Sequence, residues 1–523
     1  MHICCTYVRD FLKGFSSKNP KYKIYYNAIP LGISYISSCL KLAGHTTEML
    51  YVSPYTHNTF DTYIEKQPQI FAISVMSESD YDLALKVIFR LKTKYKNSKI
   101  IIGGVAVTLA PQKFIDIYGV DAICLGAGEK AVVEYVKQVE TKQLKKTDNL
   151  WIKTEKEILK CDKVLTVENL DELPYPDRKA WTKYIKEEEI YVCSVPVNRG
   201  CIYNCVFCAN KQLREAITNR EKYFNKRKPE EIIKEIDYCI KEKNDIQGVY
   251  LTGENIADNI DYFITLLSLL IKYNELREKK LWFLMNITFI PDLLDENIIN
   301  LMKKANFRIV LLSLESGSQN IRKIIGKPNY TNEEFITFCK KLKKLNIDLF
   351  IYTMYCFPLE TNKTWLKTVK VLKQCKPYDF SHSWLDCESI PITRDVHFGD
   401  IFRFIIFRPL VFFLLKKFLA VLDYFLYSYR KVFDLVLLKK IRTRFAKQEF
   451  DRGNYKQAIK IFNKIKINQD NQWIYADRAI AKMNINDYKG AIKDFDKIIK
   501  SDSNDFYIQK RKECLDKLNN GNI

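Results

Sequence analysis

The feature that most constrains this chain is a group of three closely spaced cysteines in the segment "VNRGCIYNCVFCANK", residues 197–211. The spacing is C-x3-C-x2-C, with the cysteines at Cys201, Cys205 and Cys208. A structural zinc site needs four ligands, and so does an iron–sulfur cluster that is held only by protein. Three cysteines are one ligand short of either site, so the motif raises the question of what occupies the fourth position.

Composition suggests a large intracellular protein. The 523 residues are enough for roughly three or four domains. The first ten residues lack the apolar run of a signal peptide, so we expect a cytoplasmic protein, in which fifteen cysteines do not indicate a disulfide framework. The formal net charge of +22 would suit nucleic acid or anionic lipid. No RNA-binding signature accompanies that charge, and nucleic acid is not an expected partner.

Hydrophobic patterning divides the chain into five parts. Residues 1–140 alternate apolar runs with amphipathic stretches, which predicts an α/β domain with a doubly wound sheet. Residues 141–190 are polar, contain two closely spaced prolines and are interpreted as a linker. Residues 191–395 contain six further strand-and-helix steps, which favour a partial (β/α)6 barrel. An apolar, basic helical segment at 396–445 and an all-α region at 446–523 complete the chain.

The segment at 401–450 combines many Phe and Leu residues with eleven Lys or Arg and three Asp or Glu. Its longest stretch without a charge is the seven residues from Pro409 to Leu415, too short to cross a membrane. A helix of this kind either packs into the protein, which we favour, or lies in a membrane interface. Peripheral contact with a membrane therefore stays open as an alternative.

The C-terminal region repeats itself with a shift of 33 residues, because "GNYKQAIKIFNKI" (453–465) aligns with "NDYKGAIKDFDKI" (486–498). The repeat resembles the tetratricopeptide repeat (TPR), a helical hairpin that stacks on its neighbours and that would offer a surface for a protein partner. The usual proline after the second helix is missing. A helical hairpin of coincidental likeness is the alternative.

The cysteine motif, with Phe207 before its last cysteine, resembles that of the radical S-adenosylmethionine (SAM) enzymes. In that family three thiolates hold three irons of a [4Fe–4S] cluster, and the fourth iron binds SAM. The resemblance implies that the cluster, reduced by an external electron donor, cleaves SAM to a 5′-deoxyadenosyl radical. The alternative is a zinc knuckle with a distant fourth ligand, but the nearest histidines, His57 and His382, are far away in the sequence.

Two later elements carry the same resemblance. "YLTGE" (250–254) resembles the Gly-Gly-Glu element that engages the SAM amino group, with Thr252 in place of the first glycine. "SLESGSQNIRKIIGK" (313–327) resembles the stretch after the fourth barrel strand that contacts the SAM ribose or carboxylate. "CFPLET" (356–361) departs from the G-x-P-G-E-T of relatives, because cysteine and leucine replace the glycines. The cofactor-binding residues implied here are Phe207, Gly253, Glu254, Glu315 and Ser316.

The N-terminal part, with "IPLGISYISSCLKLAGHTTEMLYV" (29–52) followed by "ISVM", "IIIGG" and "CLGAGE", resembles the cobalamin-binding domain fused to many radical SAM enzymes. The cobalt-ligating D-x-H-x-x-G of that domain is absent, so cobalamin is expected to bind without a histidine ligand. A domain kept only as a scaffold or substrate-binding lobe is the alternative. The cobalamin-binding residues implied by the resemblance are Ser74, Gly103, Gly104, Gly126, Gly128 and Glu129.

Both resemblances together imply a cobalamin-dependent radical SAM enzyme, and we favour a methyltransferase that acts at an unactivated carbon. One SAM would supply the radical, and another would methylate cobalamin, which passes the methyl group to a small-molecule, peptide or lipid substrate. No general acid or base can be identified. A second interpretation keeps the radical step but carries out cyclisation, rearrangement or carbon–carbon coupling, for which the apolar segment would suit a lipid. A third is a non-catalytic scaffold or redox sensor that recruits partners through the repeats.

Overall fold

The structure is a computed structural model of the whole chain. It describes residues 1–9, 29–53, 60–184, 192–242, 246–355, 361–377, 379–384, 446, 450, 455–463, 465, 473–499 and 505–520. The chain forms two compact units, Met1–Ile401 and Phe402–Ile523. The predicted helical segment at 396–445 and residues 356–360 of "CFPLET" lie outside the described residues. None of the helices within the described ranges combines the length and apolar character that crossing a bilayer requires.

The first unit begins with a seven-stranded sheet whose strand order is β2-β1-β3-β4-β5-β6-β7. Its strands are β1 (His2–Val8), β2 (Thr46–Val52), β3 (Ile70–Val75), β4 (Lys99–Gly103), β5 (Ala122–Cys124), β6 (Leu150–Lys153) and β7 (Ile158–Lys160). The first five strands pair in parallel, whereas β6 and β7 continue the sheet antiparallel. Both of these last strands lie in the stretch 141–190, where the sequence predicted only a linker. Each is four residues or fewer, too short for its periodicity to be recognised.

Helices cover both faces of this sheet. They are α1 (Leu31–Leu42), α2 (Tyr81–Lys94), α3 (Val105–Leu109), α4 (Pro111–Ile115) and α5 (Glu129–Thr141). Alternate residues of β1 show the arrangement: Cys4 packs in the hydrophobic cluster of α2, α3 and α4, and Cys5 packs in the cluster of α1 and α5. A parallel sheet buried on both faces confirms the predicted doubly wound α/β organisation.

A second sheet of six parallel strands follows, with the order β15-β14-β13-β12-β11-β8. Its strands are β8 (Val192–Pro196), β11 (Gly248–Thr252), β12 (Trp282–Ile287), β13 (Phe307–Glu315), β14 (Asp348–Tyr355) and β15 (Asp379–Trp384). The short β9 (Asn198–Arg199) and β10 (Asn225–Lys226) form a separate antiparallel pair. Six parallel strands in sequential order match the expected partial (β/α)6 barrel.

Helices follow most strands of this second sheet. They are α6 (Ala209–Ala216), α7 (Pro229–Glu242), α8 (Ile260–Glu275), α9 (Glu296–Lys304), α10 (Gln319–Ile324), α11 (Asn332–Lys344) and α12 (Asn362–Cys375). Their amphipathic patterns explain the alternation of strand and helix that was recognised in the sequence. The buried positions of α8, for example, are Phe263, Leu266, Leu267 and Leu270, spaced at three and four residues.

One face of the six-stranded sheet changes character from its amino end to its carboxyl end. At the amino end it carries an apolar cluster with Val192, Trp282 and Ile309, and the Trp282 ring covers Gly248 so closely that a side chain there would clash. Toward the carboxyl end the residues of this face become half-buried. These residues are Tyr250, Thr252, Asn286, Ser313, Tyr352 and Met354. The face is therefore covered at the amino end and accessible at the carboxyl end, where Met354 and uncharged polar side chains line it.

The second unit contains four described helices: α13 (Tyr455–Phe462), α14 (Trp473–Asn484), α15 (Tyr488–Ile499) and α16 (Asp505–Asn520). The residues aligned between the two sequence repeats take the same environment, since Ala458, Ala491, Phe462 and Phe495 are all fully buried. Helical structure in this region agrees with the expectation. The likeness to TPR units stays a prediction.

Asp494 of α15 provides a stability prediction for the second unit. Its carboxylate accepts hydrogen bonds from Arg478 (2.8 and 2.6 Å) and from Lys482 (2.8 Å), and its side chain is 3% exposed. Burial alone would raise the pKa of Asp494, but the hydrogen bonds from Arg478 and Lys482 outweigh it and hold the pKa below its usual value. Asp494→Asn should therefore destabilise this unit by about 3–5 kcal/mol in urea unfolding of the full chain.

The matched control is Asp496→Asn, because Asp496 pairs with Arg511 at a site where both side chains are more than a third exposed. Such a pair contributes about 0–1 kcal/mol.

The contribution of Asp494 should also depend on pH. A carboxylate with a lowered pKa stabilises the folded state above its unfolded pKa of about 3.9. This stability is lost as the pH falls through the lower folded pKa, so the difference between wild type and Asp494→Asn should shrink there. Equal effects of the two variants at neutral pH would contradict the prediction.

Candidate functional site

The three cysteines lie on the loop between β9 and α6. The short β9 follows β8, which is an edge strand of the six-stranded sheet. Gly200 forms the turn into this loop with a φ of +74°. A Cβ at Gly200 would clash with the backbone carbonyl of Tyr223. The left-handed conformation and the close approach to Tyr223 both require a residue without a side chain. The backbone before Cys201 can therefore take this geometry only with glycine at position 200.

Gly200→Ala should therefore distort the cysteine loop and reduce the iron content of anaerobically reconstituted protein several-fold. The matched control is Gly32→Ala on α1, where an added Cβ would meet nothing within 4 Å. An alanine in a helix is favoured over glycine by roughly 0.5–1 kcal/mol, so the control should hold iron as wild type does. Normal iron incorporation by Gly200→Ala would show that the loop does not depend on this turn.

The thiols of the triad share a partly buried environment. Burial raises the pKa of Cys201 and raises that of Cys205 to about 11, and the neighbouring thiol of Cys208 adds to both shifts. A bound cation would remove this cost, because metal ions bind the deprotonated thiolate. Within the part of the chain that the structure describes, no group of three His, Cys, Asp or Glu side chains surrounds the position of a single metal ion. The donor set itself, three thiols on one loop, fits an iron–sulfur cluster.

Asn210 connects the triad to Glu254, the carboxylate of the "TGE" element. Its Nδ2 lies 3.5 Å from Sγ of Cys208 and 3.3 Å from Oε2 of Glu254, and the hydroxyl of Tyr223 donates to its Oδ1 at 2.6 Å. Glu254 is exposed to solvent, yet the surrounding protein atoms raise its pKa by desolvation. The sequence reasoning missed Asn210, although it follows the last cysteine by only two positions.

Gly253, the other predicted residue of this element, also has a spatial reason to be glycine. A Cβ at Gly253 would clash with Oδ1 of Asn198, which precedes the cysteine loop. The oxygen of Asn198 is buried and has no hydrogen-bond partner among the described residues. The strand end that carries Gly253 and Glu254 therefore packs directly against the segment that leads to the cysteines.

Glu315 ends β13 in an unusual backbone conformation. Its φ is +59°, and the register between β13 and β14 shifts at this point. Nζ of Lys327 lies 2.9 Å from Oε1 of Glu315, and the two side chains are 7% and 9% exposed. A left-handed conformation at a residue other than glycine costs about 1–3 kcal/mol, and such strained residues cluster at active sites and ligand-binding segments.

Lys327 is a second residue that the sequence reasoning missed. Burial would lower its pKa, but Glu315, Cys205 and Cys201 outweigh burial and raise it, so the ammonium group is charged. The same positive charge opposes the rise in the pKa of Cys205. Lys327 thus places a buried cation on a strand-end carboxylate, where its charge also acts on two of the cysteine thiols.

Two other predicted residues have buried partners. Ser316 is fully buried, and its Oγ accepts a hydrogen bond from the backbone N–H of Ser318 at 3.2 Å. Phe207 packs against the buried cluster of Ile321 and Ile325. Both side chains therefore support the loop after β13, and their direct contact with SAM stays a prediction.

The predicted cobalamin-binding residues of the N-terminal sheet gather at its carboxyl edge. Ser74 at the end of β3 pairs in register with Gly103 of β4. Thr108 bridges the next two glycines, because its Oγ1 donates to the carbonyl of Gly104 at 3.1 Å and accepts from the N–H of Gly126 at 3.0 Å. This edge lies next to the reversal of strand order between β1 and β3, where open α/β sheets bind ligands.

The same edge can approach a large ligand with its backbone. Gly103 and Gly104 are consecutive, partly exposed and carry no side chain. The φ of Gly104 is +108°, and a Cβ there would clash with the carbonyl of Val75. Glu129, in contrast, is 5% exposed, and its Oε1 lies 2.6 Å from Nη1 of Arg199. Its side chain is therefore already paired within the protein.

Comparisons with known proteins agree with both halves of this architecture. The family model of the radical SAM superfamily matches residues 195–372, and that of the B12 binding domain matches residues 21–136. An uncharacterised methyltransferase of Pyrococcus horikoshii is 25% identical over 357 residues, which cover 66% of this chain and 73% of the relative.

Two solved structures have a similar fold. The radical SAM methyltransferase TsrM from Kitasatospora setae superposes with a TM-score of 0.56 at 14% identity, over 73% of this chain and 72% of that one. The cobalamin-dependent SAM radical enzyme OxsB superposes with a TM-score of 0.53 at 19% identity, over 71% of this chain and 51% of that one. At this level of identity the likeness shows the fold.

The match over residues 195–372 confirms the predicted radical SAM enzyme domain, and the two matches together support a cobalamin-dependent radical SAM family. The two family descriptions also agree with the predicted use of SAM and of cobalamin. The helices of the second unit lie outside both matched ranges.

Proposed function

We propose that this radical SAM enzyme holds a [4Fe–4S] cluster through Cys201, Cys205 and Cys208 and transfers a methyl group to an unactivated carbon with the help of cobalamin. The observation that carries the proposal is the link from the cysteine loop to the "TGE" strand end. Asn210 contacts both Cys208 and Glu254, so the cysteine triad lies close to the glutamate that is proposed to bind the SAM amino group.

The protein residues bind and orient the ligands. Glu254 provides a carboxylate for the SAM amino group, and the pair of Glu315 and Lys327 provides a fixed charge pattern beside the thiols. When bound, the cluster and SAM supply the radical, and cobalamin carries the methyl group. The half-buried surface that includes Tyr250, Asn286 and Tyr352 is uncharged, so it suits the neutral part of a substrate close to the radical.

Methyl transfer is preferred over other radical chemistry for two reasons. The relative from Pyrococcus horikoshii and the structural neighbour TsrM are both named methyltransferases. The N-terminal sheet also presents a glycine-lined edge at the position where a second cofactor would bind. Cyclisation, rearrangement and carbon–carbon coupling would use the same cysteine site without transferring a methyl group.

The partner assignments extend this proposal. An external electron donor reduces the cluster, and the substrate is a small molecule, a peptide or a lipid. The helices of residues 446–523 offer a TPR-like surface for a protein partner. For the basic, apolar segment at 401–450 packing into the protein is favoured, and peripheral contact with a membrane is the alternative.

The test is to measure SAM products from anaerobically reconstituted protein under reductant, with and without added cobalamin. We expect 5′-deoxyadenosine in both cases and S-adenosylhomocysteine only with cobalamin. Glu254→Gln should raise the SAM concentration needed for half-maximal product formation, and Glu242→Gln, at the C-terminal end of α7, is its control. Deoxyadenosine without S-adenosylhomocysteine would eliminate the methyltransferase, and the absence of both products would eliminate radical SAM chemistry.

A further inference from the structure

Arg199 lies between the two predicted cofactor sites. It is the last residue of β9 and precedes Cys201 by two positions. Its Nη1 lies 2.6 Å from Oε1 of Glu129, and its guanidinium carbon lies 4.8 Å from the ring centre of Tyr35. Glu129 is 5% and Tyr35 is 4% exposed, and the Arg199 side chain is 30% exposed, so a partly buried guanidinium group contacts two buried residues of the N-terminal domain.

Both partners of Arg199 belong to helices that cover one face of the N-terminal sheet. Tyr35 is on α1, and Glu129 is the first residue of α5, directly after the glycine turn of "CLGAGE". A Cβ on Gly128 would lie 2.9 Å from Cδ1 of Ile36, so the two helices meet closely at this point. The position of the Arg199 side chain therefore depends on the geometry of the glycine edge.

The segment "NRGC" (198–201) has little freedom to move independently of its neighbours. The buried Oδ1 of Asn198 fills the space above Gly253 of the predicted SAM element. Gly200 is pressed against the carbonyl of Tyr223. Movement of Arg199 should therefore move Gly200 and the cysteine loop that follows it, and also Asn198, which contacts the SAM element at Gly253.

We propose that Arg199 is a positioning residue that couples the glycine edge of the N-terminal sheet to the cysteine loop, so that cobalamin binding tightens SAM binding. The inference rests on the proposed function, because it takes cobalamin and SAM as the two ligands. A ligand at the glycine edge restricts the turn before Glu129, and the ion pair then restricts β9 and the loop. The protein consequently loses less conformational entropy when SAM binds, and linkage requires that SAM tightens cobalamin binding by the same factor.

The experiment measures binding rather than turnover. SAM is titrated into protein with a reconstituted, oxidised cluster, with and without cobalamin, and the reverse titration is carried out with cobalamin. In the wild type each ligand should tighten the other by about fivefold or more. Arg199→Gln should bind each ligand singly, but its affinity for one ligand with and without the other should show a ratio near one. Lys241→Gln, which removes an exposed cation of α7, should leave the ratio unchanged.

The outcomes separate this inference from the proposed function. A wild-type ratio near one with both ligands bound would overturn the role of Arg199 and leave the proposed function standing, as would an unchanged ratio in Arg199→Gln. A wild type that binds no cobalamin would overturn the proposed function and this inference with it. If Arg199→Gln cannot hold the cluster, Arg199→Lys takes its place. That variant keeps the charge and should keep most of the coupling, and a ratio near one there would contradict the ion-pair mechanism.

Discussion

Cys205→Ala should reduce the formation of 5′-deoxyadenosine from SAM by more than about 100-fold and should prevent stable incorporation of iron. Loss of a partner outside the ligand shell already costs about 10–100-fold, and loss of a ligand removes more. Cys205 is also the most enclosed cysteine of the triad, at 8% exposed, with its Sγ 3.7 Å from the carbonyl of Gly326. Iron, sulfide and deoxyadenosine are measured together after anaerobic reconstitution.

Cys161→Ala is the matched control for this experiment. Cys161 is a half-buried cysteine that follows β7 and is not part of the triad. Burial raises the pKa of Cys161, as it raises the pKa of Cys205. The two variants therefore each remove a partly or largely buried thiol, one inside the triad and one outside it. Equal iron contents in Cys205→Ala and wild type would rule out the assignment of Cys205 as a ligand.

Lys327→Met should have the second largest effect, on both stability and activity. The substitution keeps the length of the side chain but leaves the nearly buried carboxylate of Glu315 without its cation. Breaking a buried ion pair by removing one partner costs about 3–5 kcal/mol. SAM cleavage should also fall by about 10–100-fold, because the charge that opposes the raised pKa of Cys205 is lost.

The double variant Lys327→Met/Glu315→Gln separates these two effects. It removes the unpaired charge and should recover most of the stability in urea unfolding, whereas SAM cleavage should stay low. Lys341→Met is the control, since Lys341 pairs on the surface with a 69% exposed Glu296. If the double variant regained wild-type SAM cleavage, Lys327 and Glu315 would have only a structural role.

Most of the fold could be predicted from the sequence because hydrophobic periodicity reports burial. The parallel strands of both sheets appear as short apolar runs, and helices such as α2 and α8 carry apolar residues at three- and four-residue spacing. The strands β6, β7, β9 and β10 could not be recognised in this way. Each is only two to four residues long, and its position is set by pairing with a neighbouring strand.

The cysteine triad could be predicted because its spacing alone carries the chemistry. The side chains that surround it could not, since their roles arise from tertiary contacts. Lys327 lies twelve positions after Glu315, and α10 and its following turn bring the two together. Asn210 and Arg199 lie within the first motif that was recognised, yet their partners Glu254 and Glu129 are 44 and 70 residues away in the chain.

The central claim is that the three thiolates leave one iron free to bind SAM. The most direct measurement is the electron paramagnetic resonance spectrum of the reduced, reconstituted protein with and without SAM. We expect SAM to change the spectrum of wild type, because its amino and carboxylate groups would then coordinate that iron, and we expect Glu254→Gln to need more SAM for the same change. A cluster spectrum that stays unchanged at saturating SAM would contradict the open iron site.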